Sequence, residues 1–178
     1  GNDSLNGGAG IDISIYGGNR NTHTVTRNGD SLIVSGGSDG TDTLLAVERL
    51  QFADIVLAFD SDGNAGQAYR LYQAALHRAP DAAGLSDWIR GLDKGMSLRT
   101  VASGFLASAE FKGLYGTNPA DTQFVALLYS NVLNRAPDQA GSDYWIGQMA
   151  GGMSHEQVLI GFSESAENQA ALVGVRQG

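Results

Sequence analysis

The sequence predicts an α+β fold: a small Gly- and Asp-rich β segment, then an all-helical domain made of two similar units. Three observations lead there. A nine-residue pattern runs in two consecutive registers at the start, where glycines crowd the first forty of the 178 residues. The stretch after it alternates apolar and polar residues, as half-buried strands do. From Gln67 the apolar residues take helical spacing, and the pattern recurs at an offset of 57 residues. The boundaries that follow are residues 1–60 for the β segment and 61–178 for the helical domain, with its units at about 68–111 and 125–168.

Hydrophobic residues make up 42% of the chain, enough for packed cores rather than a disordered tail. A net charge of -8 argues against a nucleic-acid partner, because phosphate recognition needs clustered Lys and Arg. The absence of cysteine removes disulfides, thiol catalysis and Cys-ligated metal sites. No apolar run approaches the length of a membrane span. The N-terminus carries no signal peptide, and its register starts mid-repeat, so further repeat sequence is expected upstream.

Gly7-Gly8-Ala9-Gly10-Ile11-Asp12 fills the first six positions of the nonapeptide G-G-x-G-x-D-x-U-x, where U is a large aliphatic. Nine residues back, Gly1-Asn2-Asp3-Ser4-Leu5-Asn6 fills positions four to nine, with Leu5 at U. The spacing suits a hard cation. Calcium takes six to eight oxygens at about 2.3–2.6 Å, from carboxylates and backbone carbonyls. Glycine lets a turn bend its carbonyls inward, and Asp supplies the charge. Asp3 and Asp12, with Gly1, Gly8 and Gly10, are therefore candidate ligands for Ca2+. The aliphatic at position eight is expected to pack under the next turn of a parallel β-roll. Ser14 occupies that place in the second register, so the roll should end there.

Thr22–Thr26 and Ser31–Ser35 read as paired strands around Arg27-Asn28-Gly29-Asp30, with Asn28-Gly29 as the favoured type I′ pair. Gly40, Asp42 and Leu44 then repeat the G-x-D-x-U core, adding Asp39 and Asp42 as candidate ligands; an ordinary Asx turn explains them equally well. The stretch from Gly1 to about Phe59, through Tyr16-Gly17-Gly18-Asn19, Gly40–Leu44 and Val47–Asp54, resembles the segment closing RTX (hemolysin-type) calcium-binding arrays. That resemblance implies calcium-triggered folding outside the cell, after export by a type I secretion machinery.

Asp60-Ser61-Asp62-Gly63-Asn64 imitates the start of an EF-hand loop, but Ala65 and Leu71 stand where its glycine and closing glutamate belong. The expectation is a linker in which Asp62 or Asn64 caps the following helix. In the helical domain, Leu71-Tyr72 through Glu110 aligns without a gap onto Leu128-Tyr129 through Glu167. Arg78-Ala79-Pro80-Asp81 recurs as Arg135-Ala136-Pro137-Asp138, Trp88 as Trp145, and Gly104-Phe105 as Gly161-Phe162. Each Pro bars helix at the residue before it. Ser97, Ser154, Ser108 and Ser165 are expected caps, and Asn118-Pro119 an opening cap with proline at the first helical position. This L-Y-x-x-x-L-x-R-x-P-D-x-x-G…W pattern resembles domain of unknown function 4214, itself similar to phycobilisome linker repeats. It implies a helical accessory module on secreted bacterial proteins.

No catalytic constellation is legible. His77 aligns with Asn134, His155 with Leu98, and His23 lies alone in a strand. The two Arg/Asp pairs are expected to close their own turns. Trp88 and Trp145 are expected as core anchors, or as platforms for a surface glycan or another protein. The expected function is therefore non-catalytic: a calcium-binding module of an extracellular or cell-surface protein, with adhesion as the alternative.

Overall fold

The computed structural model describes residues 1–173. The chain divides into a β unit, Gly1–Ser61, and a helical unit that begins at Asp62.

Two small sheets make the first unit. Strands β1 (Ser4–Asn6), β3 (His23–Asn28), β4 (Ser31–Gly36) and β5 (Gly40–Leu45) form one, in the order β1-β5-β4-β3. Strands β2 (Ile13–Ile15), β6 (Arg49–Gln51) and β7 (Val56–Ala58) form the other, in the order β2-β6-β7. β1 runs parallel to β5, and β2 parallel to β6. The two nonapeptide registers thus place successive strands in different sheets, and each strand lies at a sheet edge. Leu32, Val34, Leu44, Leu50, Phe52 and Tyr16 form the core of this unit.

Two details differ from the sequence expectation. Asn28 pairs with Ser31, so the β3–β4 loop is Gly29-Asp30 rather than Asn28-Gly29. Gly29 takes φ +61° at the first loop position, the place where a type II′ connection requires glycine. Leu5, expected under a following turn, is 44% exposed, and Ile13 and Ile15 are 56% and 71% exposed. Their strands sit at the rims of the sheets, where their exposed faces have no further layer over them.

Among the described residues eight helices form the second unit: α1 (Asn64–Leu76), α2 (Ala82–Asp93), α3 (Leu98–Ala107), α4 (Ala109–Tyr115), α5 (Asp121–Leu133), α6 (Gln139–Ala150), α7 (His155–Ser163) and α8 (Ala166–Val173). Helices α1 to α4 repeat as α5 to α8. Asp81 and Asp138 cap α2 and α6 by accepting from Gly84 and Gly141 N–H, both at 2.8 Å. Ser97 and Ser108 cap α3 and α4, and the Gln157 side chain accepts the Ser154 N–H at 3.0 Å in a capping box. The N-cap position of α1 is neither Asp62 nor Asn64. Gly63 holds that position, and the Asn64 amide instead donates to Asp93 at 2.8 Å. Ala120, not Asn118, is the N-cap of α5, so Pro119 precedes the helix.

His77 and Asn134 explain why one aligned pair differs in sequence. Both end their helices in the left-handed conformation, at φ 49° and 53°. The position demands a backbone shape that Asn and His tolerate better than most residues, not a particular side-chain chemistry.

Candidate functional site

The turn between β1 and β2 holds the most unusual polar geometry in the β unit. Gly8 and Gly10 take φ +89° and +118°, and Gly8 N–H donates to the Asn6 side chain at 3.2 Å. Asp12 closes the turn. Its carbonyl accepts from Glu48 N–H at 3.2 Å and Arg49 N–H at 3.0 Å, and its own N–H donates to Glu48 Oε2 at 3.0 Å. Asp12 Oδ2 is withdrawn from solvent and has no hydrogen-bond partner. Gly7 packs so closely on Asp12 Cβ and the Ala46 carbonyl that no Cβ fits there.

An isolated buried carboxylate oxygen is costly, by several kcal/mol unless a cation or donor satisfies it. The turn therefore fits a hard divalent ion: Asp12 would supply the charge, and the glycine-bent backbone would supply carbonyl oxygens. Among the described residues no three His, Asp or Glu side chains converge on a metal position. An ion at this turn would thus lean on main-chain oxygen.

The other sequence candidates are placed separately. Asp42 is buried, and its Oδ1 accepts Asp3 N–H at 3.0 Å, bridging the parallel β1–β5 pair. Asp3 itself is exposed, and its carbonyl accepts Thr43 N–H. Asp39 faces His23 Nε2 at 3.4 Å, and the Gly1 amine donates to the Asp39 carbonyl at 2.8 Å. Asp3, Asp39 and Asp42 thus gather at one end of β5, while Asp12 pairs with a residue that the nonapeptide does not include, Glu48. His23 is buried against Tyr16 and Phe52, with ring centroids 5.5 and 5.1 Å away. It is a core residue of the sheet.

In the helical unit, duplication places the same cluster twice. Tyr72 donates to Asp81 at 2.5 Å, Arg78 stacks on the Tyr72 ring, and Arg78 Nε donates to Glu110 at 2.5 Å. In the second unit Arg135 stacks on the Tyr129 ring, donates to Glu167 at 2.7 Å, and reaches Asp138 at 3.2 Å. The arginine pairs expected to close a local turn also reach 32 residues onward, tying each turn to the start of α4 or α8. Glu110 and Glu167 carry that link, and their recurrence in the duplicated sequence was the available signal.

The arginines hold both glutamates below the usual carboxylate range. A depressed folded value stabilises the fold above the unfolded pKa and is lost as pH falls through the folded one. Melting temperature should accordingly fall on acidification below the ordinary Glu value of 4.5. The loss should be smaller in Arg78→Gln/Arg135→Gln, and smaller at high salt because the clusters are exposed. Thermal melts between pH 7 and pH 3 check this.

Trp88 and Trp145 are half-buried. Each lies over a glycine, Gly104 or Gly161, and against Phe105 or Phe162 at 5.2 and 5.0 Å. A methyl at Gly104 would come within 2.6 Å of the Trp88 ring, and one at Gly161 would meet Trp145 still more closely. Gly104→Ala and Gly161→Ala are therefore expected to cost about 1–3 kcal/mol each by urea unfolding. Tyr144, 55% exposed, sits edge-on to Trp145 at 5.2 Å, and the first unit has Asp87 in its place.

The fold is a two-sheet β unit and a duplicated bundle whose paired clusters tie its turns to α4 and α8. The chain belongs to the family described as domain of unknown function (DUF4214), which matches residues 63–114 and 102–172. The two overlapping matches follow the duplication. No curated protein matches the chain, and no solved structure does. No helix among the described residues is long and apolar enough to cross a membrane.

Proposed function

We propose that this chain is a non-catalytic, calcium-binding module of a bacterial protein exported by type I secretion, and that calcium outside the cell completes its β unit. The observation that carries the reading is Asp12 Oδ2, a solvent-excluded carboxylate oxygen without a partner in a glycine-bent turn. It occupies position six of a nonapeptide that resembles RTX repeats. The placement of β1 and β2, nine residues apart in different sheets and parallel to their neighbours, supports the same reading. Sites of the extracellular kind bind calcium at about 0.1–1 mM, so the cytoplasm would leave the turn empty and the exterior would fill it. Circular dichroism melts in calcium and in chelator test the idea. Calcium should raise the melting point of the β unit; superimposable curves at several millimolar calcium count against it.

A second reading, partner or glycan binding, is favoured by one feature: the exposed Tyr144 beside the half-buried Trp145. In that case a ligand should shift Trp fluorescence, and Tyr144→Ala should abolish the shift without changing the melting point.

A further inference from the structure

We infer that Glu48 supplies the second carboxylate of the cation site at the Asp12 turn. This rests on the calcium reading above, and extends it to a residue that no position of the nonapeptide designates. Asp12 alone balances half the charge of a divalent ion, so a second anionic oxygen donor would strengthen the site. Glu48 lies 36 residues away in sequence, yet its side chain reaches the Asp12 turn: Oε2 accepts Asp12 N–H at 3.0 Å. Its backbone is fixed there too, since Glu48 N–H donates to the Asp12 carbonyl at 3.2 Å and the Glu48 carbonyl accepts Phe59 N–H at 3.0 Å. Glu48 Oε1 has no hydrogen-bond partner among the described residues. The cation adjacent in sequence, Arg49, is paired with Asp60. The independent sign of a missing ligand remains Asp12 Oδ2, enclosed and unsatisfied on the residue whose N–H Glu48 Oε2 accepts.

A purely structural role for Glu48 is the competing account, because one oxygen already holds the turn. Glu48→Gln separates the two: the amide oxygen can keep the bond to Asp12 N–H, while the charge is gone. Calorimetric titration of calcium chloride into the full chain, with terbium luminescence as a second readout, makes the comparison. Calcium affinity should fall roughly ten-fold or more in Glu48→Gln, with an unchanged melting point in chelator. Glu48→Asp, which keeps the charge, should retain more affinity than Glu48→Gln and guards against a folding defect in the amide variant. Equal calcium affinity in the parent and Glu48→Gln overturns the role of Glu48 and leaves the calcium reading standing. A parent chain that takes up no calcium or terbium overturns both.

Discussion

Phe124→Ala should cost the helical unit about 3–5 kcal/mol, the range for removing a fully enclosed phenylalanine. Phe124 is inaccessible to solvent and meets rings from three other places: Phe111 at 6.3 Å, Tyr115 at 5.7 Å and His155 at 4.5 Å. Phe111 and Tyr115 end the first unit, whereas Phe124 and His155 begin helices of the second. The side chain is thus a seam between the duplicated halves. Domains of this size are stable by about 5–15 kcal/mol, so the variant should lose a large share of its stability. Urea unfolding followed at helical wavelengths measures it. A loss below 1 kcal/mol would mean that the halves do not depend on this seam.

The sequence could not expose that seam, because the position aligned with Phe124 is Gln67, and a repeat alignment emphasises what recurs. Recurrence did reveal the turns, the paired Trp anchors and the Arg/Asp pairs, whose geometry is local to each unit. Contacts made once, between units, leave no periodic trace. Arg70 shows the same limit. It is buried and bonds Glu164 at 2.8 Å, while its aligned residue is Leu127.

Asp12→Asn should change stability in opposite directions under two conditions. In chelator the variant should be at least as stable as the parent, since a carboxylate oxygen enclosed without a partner is replaced by a neutral group. In calcium it should lose the gain that the parent obtains, about 2.7 kcal/mol when free calcium is a hundred-fold above the dissociation constant. Melts of both proteins in both buffers give four values, and the crossing is the prediction. Parallel shifts in both buffers would point to a purely structural Asp12.

In the β unit the alternation of residues identified β3 and β4, because half-buried strands repeat every second residue, whereas β5 is marked in the sequence only as a G-x-D-x-U core. The hairpin loop was displaced by one residue, since Asn28-Gly29 and Gly29-Asp30 both offer glycine to a two-residue turn and the pairing of Asn28 with Ser31 decides between them. The nonapeptide marked Asp12 and the glycines around it, but Glu48 carries no repeat signature and reaches the turn through the parallel pairing of β2 with β6. Asp42 was marked by the same pattern. Its G-x-D-x-U setting suggested a ligand, and its carboxylate is bonded to the Asp3 N–H across β1 and β5.

The most direct measurement is a high-resolution crystal structure grown in several millimolar calcium, with anomalous scattering to identify the ion. A single ion held by oxygen alone, on the Asp12 carboxylate and main-chain carbonyls of its turn with Glu48 as the second carboxylate, is the predicted result. An ordered Asp12 turn without an ion, its carboxylate facing bulk water at that concentration, would contradict the account.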